Sequence, residues 1–169
     1  MVTSIKGNDT STFGGNIDVT GNVVTDAPAF SATLSANESI TTSTSTKISF
    51  DTKDFDLTND FDTSTYRFTP SIQGYYQFNF SVFMDCNNTQ GIFRGELYKN
   101  GSLHRRGLMN ADSVAQDTTA VGSILVYANG TTDYFELYIH HTFGVTRNLL
   151  SNSSLTYFQG YLARAVWVQ

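Results

Sequence analysis

From Gly74 the chain alternates with a period of two. Tyr76, Phe78, Phe80 and Val82 form one set, and Tyr75, Gln77, Asn79 and Ser81 the other. Successive strand residues point to opposite faces, so the segment predicts a half-buried strand with its Phe-rich side on a core. The polar row must face something other than that core.

The same rhythm recurs along the chain. Ala29 to Leu34, Lys47 to Phe50, Tyr66 to Pro70, Ile92 to Tyr98, Val121 to Tyr127, Asp133 to Phe143 and Leu155 to Val168 all read as strands, the last interrupted at Gly160. Asn100-Gly101 after Tyr98 is a strong hairpin signal, since both residues tolerate positive φ. Leu103 onward is the returning strand. Asn110 to Thr119 and Gly144 to Ser154 read as polar loops. Eight to ten short strands at regular spacing, with no helix long enough for a βαβ crossover, predict an antiparallel sandwich or barrel.

Composition supports a packed core. Of 169 residues 40% are hydrophobic, 14% aromatic and only 15% charged. The formal charge of −5 argues against nucleic acid, whose phosphates demand clustered Lys and Arg. Arg105-Arg106 beside His104 is the only basic pair and reads as a solvated hairpin end. Cys86 is the single cysteine, which excludes an internal disulfide and a thiolate metal cluster. No apolar run approaches the length of a membrane span, and Met1 to Gly7 lacks the apolar core of a signal peptide.

Templates for chemistry fail in turn. Gly-X-Ser-X-Gly is absent. His140 and His141 are adjacent, so on a strand their rings diverge and cannot share an ion. Asp54, Asp56, Asp60 and Asp62 surround Phe55 and Phe61; clustered oxygens can take calcium, but EF-hand spacing is missing. The alternative is a loop whose phenylalanines plug the core while the aspartates cap turns. No enzyme is expected, and calcium is the one cofactor these residue types allow.

Residues 1–27 differ from the rest. Gly15 to Thr20 and Gly21 to Asp26 each open Gly-Asn and continue with β-branched residues. Two such hexads are too few for a self-standing solenoid. They are expected to form a short extended β-type arm, with Ile17, Val19, Val23 and Val24 anchoring it to partner chains or a larger particle.

Asn59-Asp60-Phe61-Asp62, Tyr66-Arg67-Phe68-Thr69-Pro70 and Gly74-Tyr75-Tyr76-Gln77-Phe78-Asn79-Phe80 resemble, in that order, the globular head of complement component 1, subcomponent q. That family shares the tumour-necrosis-factor jelly roll. Ala29-Phe30-Ser31-Ala32, Leu97 to Gly101, Gly122 to Val126 and Tyr157 to Leu162 extend the likeness across about 28–166. The turn Asn129-Gly130-Thr131-Thr132-Asp133 is longer than the family's usual Gly-Asp. The resemblance implies a ten-strand jelly-roll sandwich over 28–169 that assembles as a homotrimer. It places Gln77, Asn79 and Ser81, with Phe158 near them, at the threefold axis. It also puts loops at about 35–46, 85–91, 110–119 and 144–154 at the end away from the termini. Asn87, Asn88, Asp112, Asp117, Arg147 and Asn148 are the candidate receptor contacts there, to a host-surface glycan or protein.

Animal members usually carry a signal peptide and a collagen-like stalk. Here the arm resembles the β-structured segments that precede distal domains of bacteriophage fibres. The expectation is a phage virion protein made in the host cytoplasm: a tail-fibre or spike tip that attaches to the host, its arm joined to other virion proteins. A capsid decoration trimer held by the arm is the alternative. A secreted cytokine-like or lectin-like module is a second one.

Overall fold

A computed structural model describes residues 26–87, 89–108, 110–111 and 118–166. The hexad repeat and Ile17, Val19, Val23 and Val24 lie outside these residues.

The described residues form two antiparallel sheets packed face to face. The first is built on β7 (Gly74–Met84) and β11 (Thr118–Ala128), paired in register along eleven residues. On its other side β7 pairs with β14 (Tyr157–Ala165), which pairs with β1 (Ala29–Thr33), which pairs with β4 (Thr52–Asp56). At the Met84 end, β13 (Arg147–Leu149) joins β7 and carries β2 (Glu38–Ile40). The second sheet centres on β8 (Ile92–Lys99) and β12 (Phe135–His141). It adds β9 (Ser102–Arg106) and the two-residue strands β3 (Thr46–Lys47), β5 (Phe61–Asp62), β6 (Arg67–Phe68) and β10 (Asn110–Ala111). The result is the all-β sandwich that the alternation predicts.

Phenylalanine fills the gap between the sheets. Phe30 stacks on Phe68 at 4.3 Å and on Phe61 at 5.0 Å, and meets Phe158 edge-on at 5.1 Å. Phe78 packs on Phe158 at 5.6 Å and on Phe135 at 4.7 Å. Offset and edge-on aromatic pairs contribute about 0.5–1.5 kcal/mol each beyond the area they bury. At the β8–β9 turn Asn100 and Gly101 both have positive φ, 53° and 74°, the conformation a two-residue hairpin requires. The longer turn before β12 is closed by Asp133. Its carboxylate accepts from Asn100 Nδ2 (2.7 Å), the Asn129 N–H (3.0 Å) and Lys99 Nζ (2.8 Å).

Several boundaries differ from those read in the sequence. β3 ends at Lys47, because the Ser49 N–H and Oγ both turn to Glu38 instead of a neighbouring strand. The 110–119 loop is shorter than expected: Asn110–Ala111 pairs with β8, and β11 begins at Thr118. The 144–154 loop contains β13. Gly160 does not interrupt β14; a Cβ there would come within 2.6 Å of the Phe78 ring, so glycine admits that ring to the core.

The two histidines diverge as expected. His141 is buried, with Nε2 3.1 Å from the Ile40 carbonyl oxygen and Nδ1 3.4 Å from the Phe143 N–H, so the ring is neutral with its proton on Nε2. Burial lowers its pKa, and the Ile40 carbonyl opposes that only in part. His140 faces outward on the second sheet, half-buried.

Candidate functional site

The core takes one side of each sheet. The outward side of the first sheet is an exposed surface built from regular strands, and the alternation of β7 determines what it carries. Opposite Gln77 stand Leu125 on β11 and Tyr161 on β14; opposite Asn79 stand Ser123 and Gln159; opposite Ser81 stand Val121 and Tyr157; opposite Tyr75 stands Tyr127. The face is therefore layered: two tyrosines meeting edge-on at 5.7 Å, then Leu125 and Tyr161, then the amides and hydroxyl of Asn79, Gln159 and Ser123, then Val121 and Tyr157.

Leu125 is 57% exposed and Tyr161 49%, and Val121, Tyr75 and Tyr127 are also exposed. Scattered surface apolar residues need no explanation, whereas a contiguous row of them marks an interaction surface. Gln77 braces the row by donating from Nε2 to Ser123 Oγ at 3.0 Å. On the β11 side lies a recess of about 530 Å³ lined by Asn79, Val121, Ser123, Tyr157, Gln159 and Leu108. Its floor is thin because Gly122 lies on the Phe80 ring; a Cβ there would sit 2.2 Å from Cζ. Across β7 and β14 a second recess, about 310 Å³, is bordered by Ala29, Phe55 and Tyr161.

Of the residues expected at an axis, Gln77 and Asn79 lie half-buried on this face. Ser81 is oriented the same way but is buried, its Oγ donating to the Leu155 carbonyl at 2.6 Å. Phe158 is a correction. It pairs with Phe80 in register, so it shares the inward side and is wholly buried in the core. The parity of β14 places Tyr157, Gln159 and Tyr161 outward instead. Alternation within β11 and β14 groups Val121 with Leu125 and Tyr157 with Tyr161, but only the register across β7 brings them beside Gln77.

The receptor-contact candidates lie elsewhere. β7 runs from the end where β14 finishes to the end where the loops gather. There the Asp85 N–H donates to the Asn148 carbonyl at 3.0 Å, Ser39 Oγ donates to Asn148 Oδ1 at 3.2 Å, and Arg147 Nη2 donates to Thr89 Oγ1. Arg147 and Asn148 thus sit on β13, not in an irregular loop. Asn87 is exposed, with φ of 42°. Asn88, Asp112 and Asp117 lie outside the described residues.

The calcium candidates do not converge. Asp54 accepts from Ser31 Oγ. Asp56 accepts from Lys53 Nζ and the N–H groups of Asp60 and Phe61. Asp60 accepts from Thr58 and Ser71, and Asp62 from Ser64 and Thr65. Asp54 bonds across to β1 while Asp56, Asp60 and Asp62 brace turns, and the Asp62 pKa is pulled down to about 2 by its Ser64 bonds. Among the described residues no group of three or more His, Cys, Asp and Glu is arranged to hold a metal.

Solved structures of similar shape include the globular domain of zebrafish complement 1qA protein (17% identity, TM-score 0.57, covering 83% of this chain and 99% of that one). Others are Eiger TNF from S. frugiperda (8%, 0.59, 84% and 94%) and murine APRIL at pH 5.0 (8%, 0.60, 80% and 98%). At these identities the likeness shows the jelly-roll fold alone. No curated protein matches the chain in sequence. The C1q domain family matches residues 29–163, most of the chain. With its two-sheet sandwich and Phe-packed core, the chain belongs to the C1q domain family, whose domains are non-enzymatic binding modules.

Proposed function

We propose that the chain is the homotrimeric binding domain of a surface-exposed phage virion protein, joined to the particle by its N-terminal arm and presenting the loops at the Met84 end of β7 to a host-surface glycan or protein. The observation that carries the trimer is the layered apolar face of the first sheet. Its two halves differ: Val121 and Leu108 border one recess, and Phe55 and Tyr161 the other. Unlike halves that meet make heterologous contacts, which close into a trimeric ring where each copy is turned a third of a revolution from the last. Covering such a face stabilises assembly by about 25 cal/mol per Å² of apolar surface removed from water. The amide layer of Asn79 and Gln159 then supplies hydrogen bonds that set the register between copies.

The virion assignment rests on the Gly-Asn hexads, which suit three arms wound together or docked on a larger structure. Sedimentation tests the trimer: a particle of about three times 18.7 kDa is expected, and a monomer overturns it. Antibody labelling of the assembled particle tests the finer reading. Label at the tail tip supports attachment; label over the shell replaces it with capsid decoration. Failure of the isolated trimer to bind host cells counts against attachment.

A further inference from the structure

The outward face of the second sheet is built on different chemistry. Glu96 on β8 is 1% exposed, and its Oε1 accepts from both Arg94 Nε (2.8 Å) and Arg106 Nε (3.2 Å), while Oε2 accepts from Ser45 Oγ (2.7 Å). One carboxylate thus gathers two guanidinium groups. Each arginine gives it the Nε–H alone, and among the described residues neither makes another hydrogen bond. A guanidinium presents its donors as a planar fork, so most of the donors of both forks stand side by side for a ligand. His140, directly opposite Arg94 on β12, has an enclosed Nδ1 with no hydrogen-bond partner among the described residues.

Next along the same face, Tyr138 stands opposite Glu96 and stacks on Tyr98 at 3.9 Å. Beyond this pair the arrangement repeats: Glu136 Oε1 accepts from Arg67 Nε (2.7 Å) and Lys47 Nζ (3.1 Å). Asp62 lies opposite Arg67, so that end is nearer neutral. The Arg94–Arg106 end holds a surplus cation in a chain whose formal charge is −5. Two guanidinium groups on one carboxylate leave a net positive charge at that end, and a positive charge at short range attracts a further anion.

We propose that Arg94 and Arg106 bind the carboxylate or sulfate group of an acidic polysaccharide whose sugar ring packs beside Tyr98 and Tyr138. This site is separate from the loop end. It is centred on the outward face of the second sheet and meets the assembly face only at Arg106. Arg106 also borders the 530 Å³ recess, which places it at the corner where the sheets meet.

The test uses the full chain against dextran sulfate, polygalacturonate and neutral dextran at low ionic strength. Binding to either charged polymer and not to neutral dextran is expected, and which of the two binds assigns the group as sulfate or carboxylate. Arg106→Gln weakens binding by up to about fivefold, the scale of one partly exposed charge contact. Arg105→Gln, the exposed neighbour, leaves it unchanged. Glu96→Gln keeps an oxygen acceptor and removes the competing charge, so it tightens binding. Sedimentation and circular dichroism accompany each variant. If Arg106→Gln alters assembly, Arg94→Gln, which does not border the recess, is read in its place. No binding to either charged polymer, equal losses in the Arg105 and arginine-site variants, or weaker binding by a folded Glu96→Gln overturns the proposal.

Discussion

The two outward faces of the sandwich share one backbone geometry and carry opposite solutions. The first sheet exposes Leu125, Tyr161, Val121 and two further tyrosines, with amides between them. The second has two almost wholly buried glutamates, each collecting two cations: Glu136 from two other strands, Glu96 from its own strand and from β9. Apolar surface in water is stabilised by covering it, so the first face is the one we propose to be completed by neighbouring copies. On the second, each buried carboxylate is satisfied by cations of its own chain, while the Arg94–Arg106 end keeps a surplus positive charge and unused donors. A jelly roll can thus assemble through one sheet and remain open at the other.

The largest effect should come from charging the first face. Leu125→Glu with Tyr161→Glu sets like carboxylates together in every copy, and such juxtaposition costs several kcal/mol. The variant is expected to sediment as an 18.7 kDa monomer with an unchanged far-ultraviolet spectrum, since both residues are exposed within the chain. A trimer that persists would move the interface elsewhere.

Between the faces, Phe158→Ala removes a wholly buried ring from the aromatic cluster. It should cost about 3–5 kcal/mol in urea unfolding of the folded chain. A small loss accompanied by dissociation would instead return Phe158 to the axis.

On the second face, Glu136→Ala strands Arg67 and Lys47 without their carboxylate. Both cations are partly exposed, so the expected loss is about 1–3 kcal/mol by urea unfolding. Substitution of Leu125 on the first face should leave this value untouched if the two faces are independent; the double mutant Leu125→Glu, Glu136→Ala measures that directly.

Acid should separate the faces more gently. Burial opposes the ionisation of Glu96, but bonds from Arg94, Ser45 and Arg106 hold its carboxyl below the ordinary 4.5. A depressed pKa means the unfolded state binds protons first, so this stability is present above about pH 4.5 and is lost as pH falls below it. His141 has the same sign in a higher window. Its lowered pKa makes the fold lose stability as pH drops below 6.5, by up to about 1.4 kcal/mol per pH unit. Urea midpoints at pH 7, 5 and 3.5 should fall in two steps, and His141→Gln should flatten the first.

Much of the architecture was legible in the residues. Tyr76, Phe78, Phe80 and Val82 are inward in the alternation and in the fold, and Asn100-Gly101 forms the hairpin its residue types require. The site was less so. Phe158 was misplaced because nearness along a face was taken from the family likeness, while the parity of its own strand put it inward. Arg106 read as part of a solvated basic pair, since its partner Glu96 lies across a hairpin whose bulge shifts the pairing. Asp54 to Asp62 looked like one cluster, yet a turn through Asn59, at φ of 57°, sends the carboxylates to separate tasks.

By itself the sequence determined the strand period, the inward phenylalanines and the exclusion of helical layers, because side-chain alternation and turn chemistry act over a few residues. Only the tertiary structure decided which strands lie side by side. Register across strands turns isolated polar and apolar positions into one layered face on the first sheet and gathers Lys47, Arg67 and Arg106 onto buried carboxylates of the second.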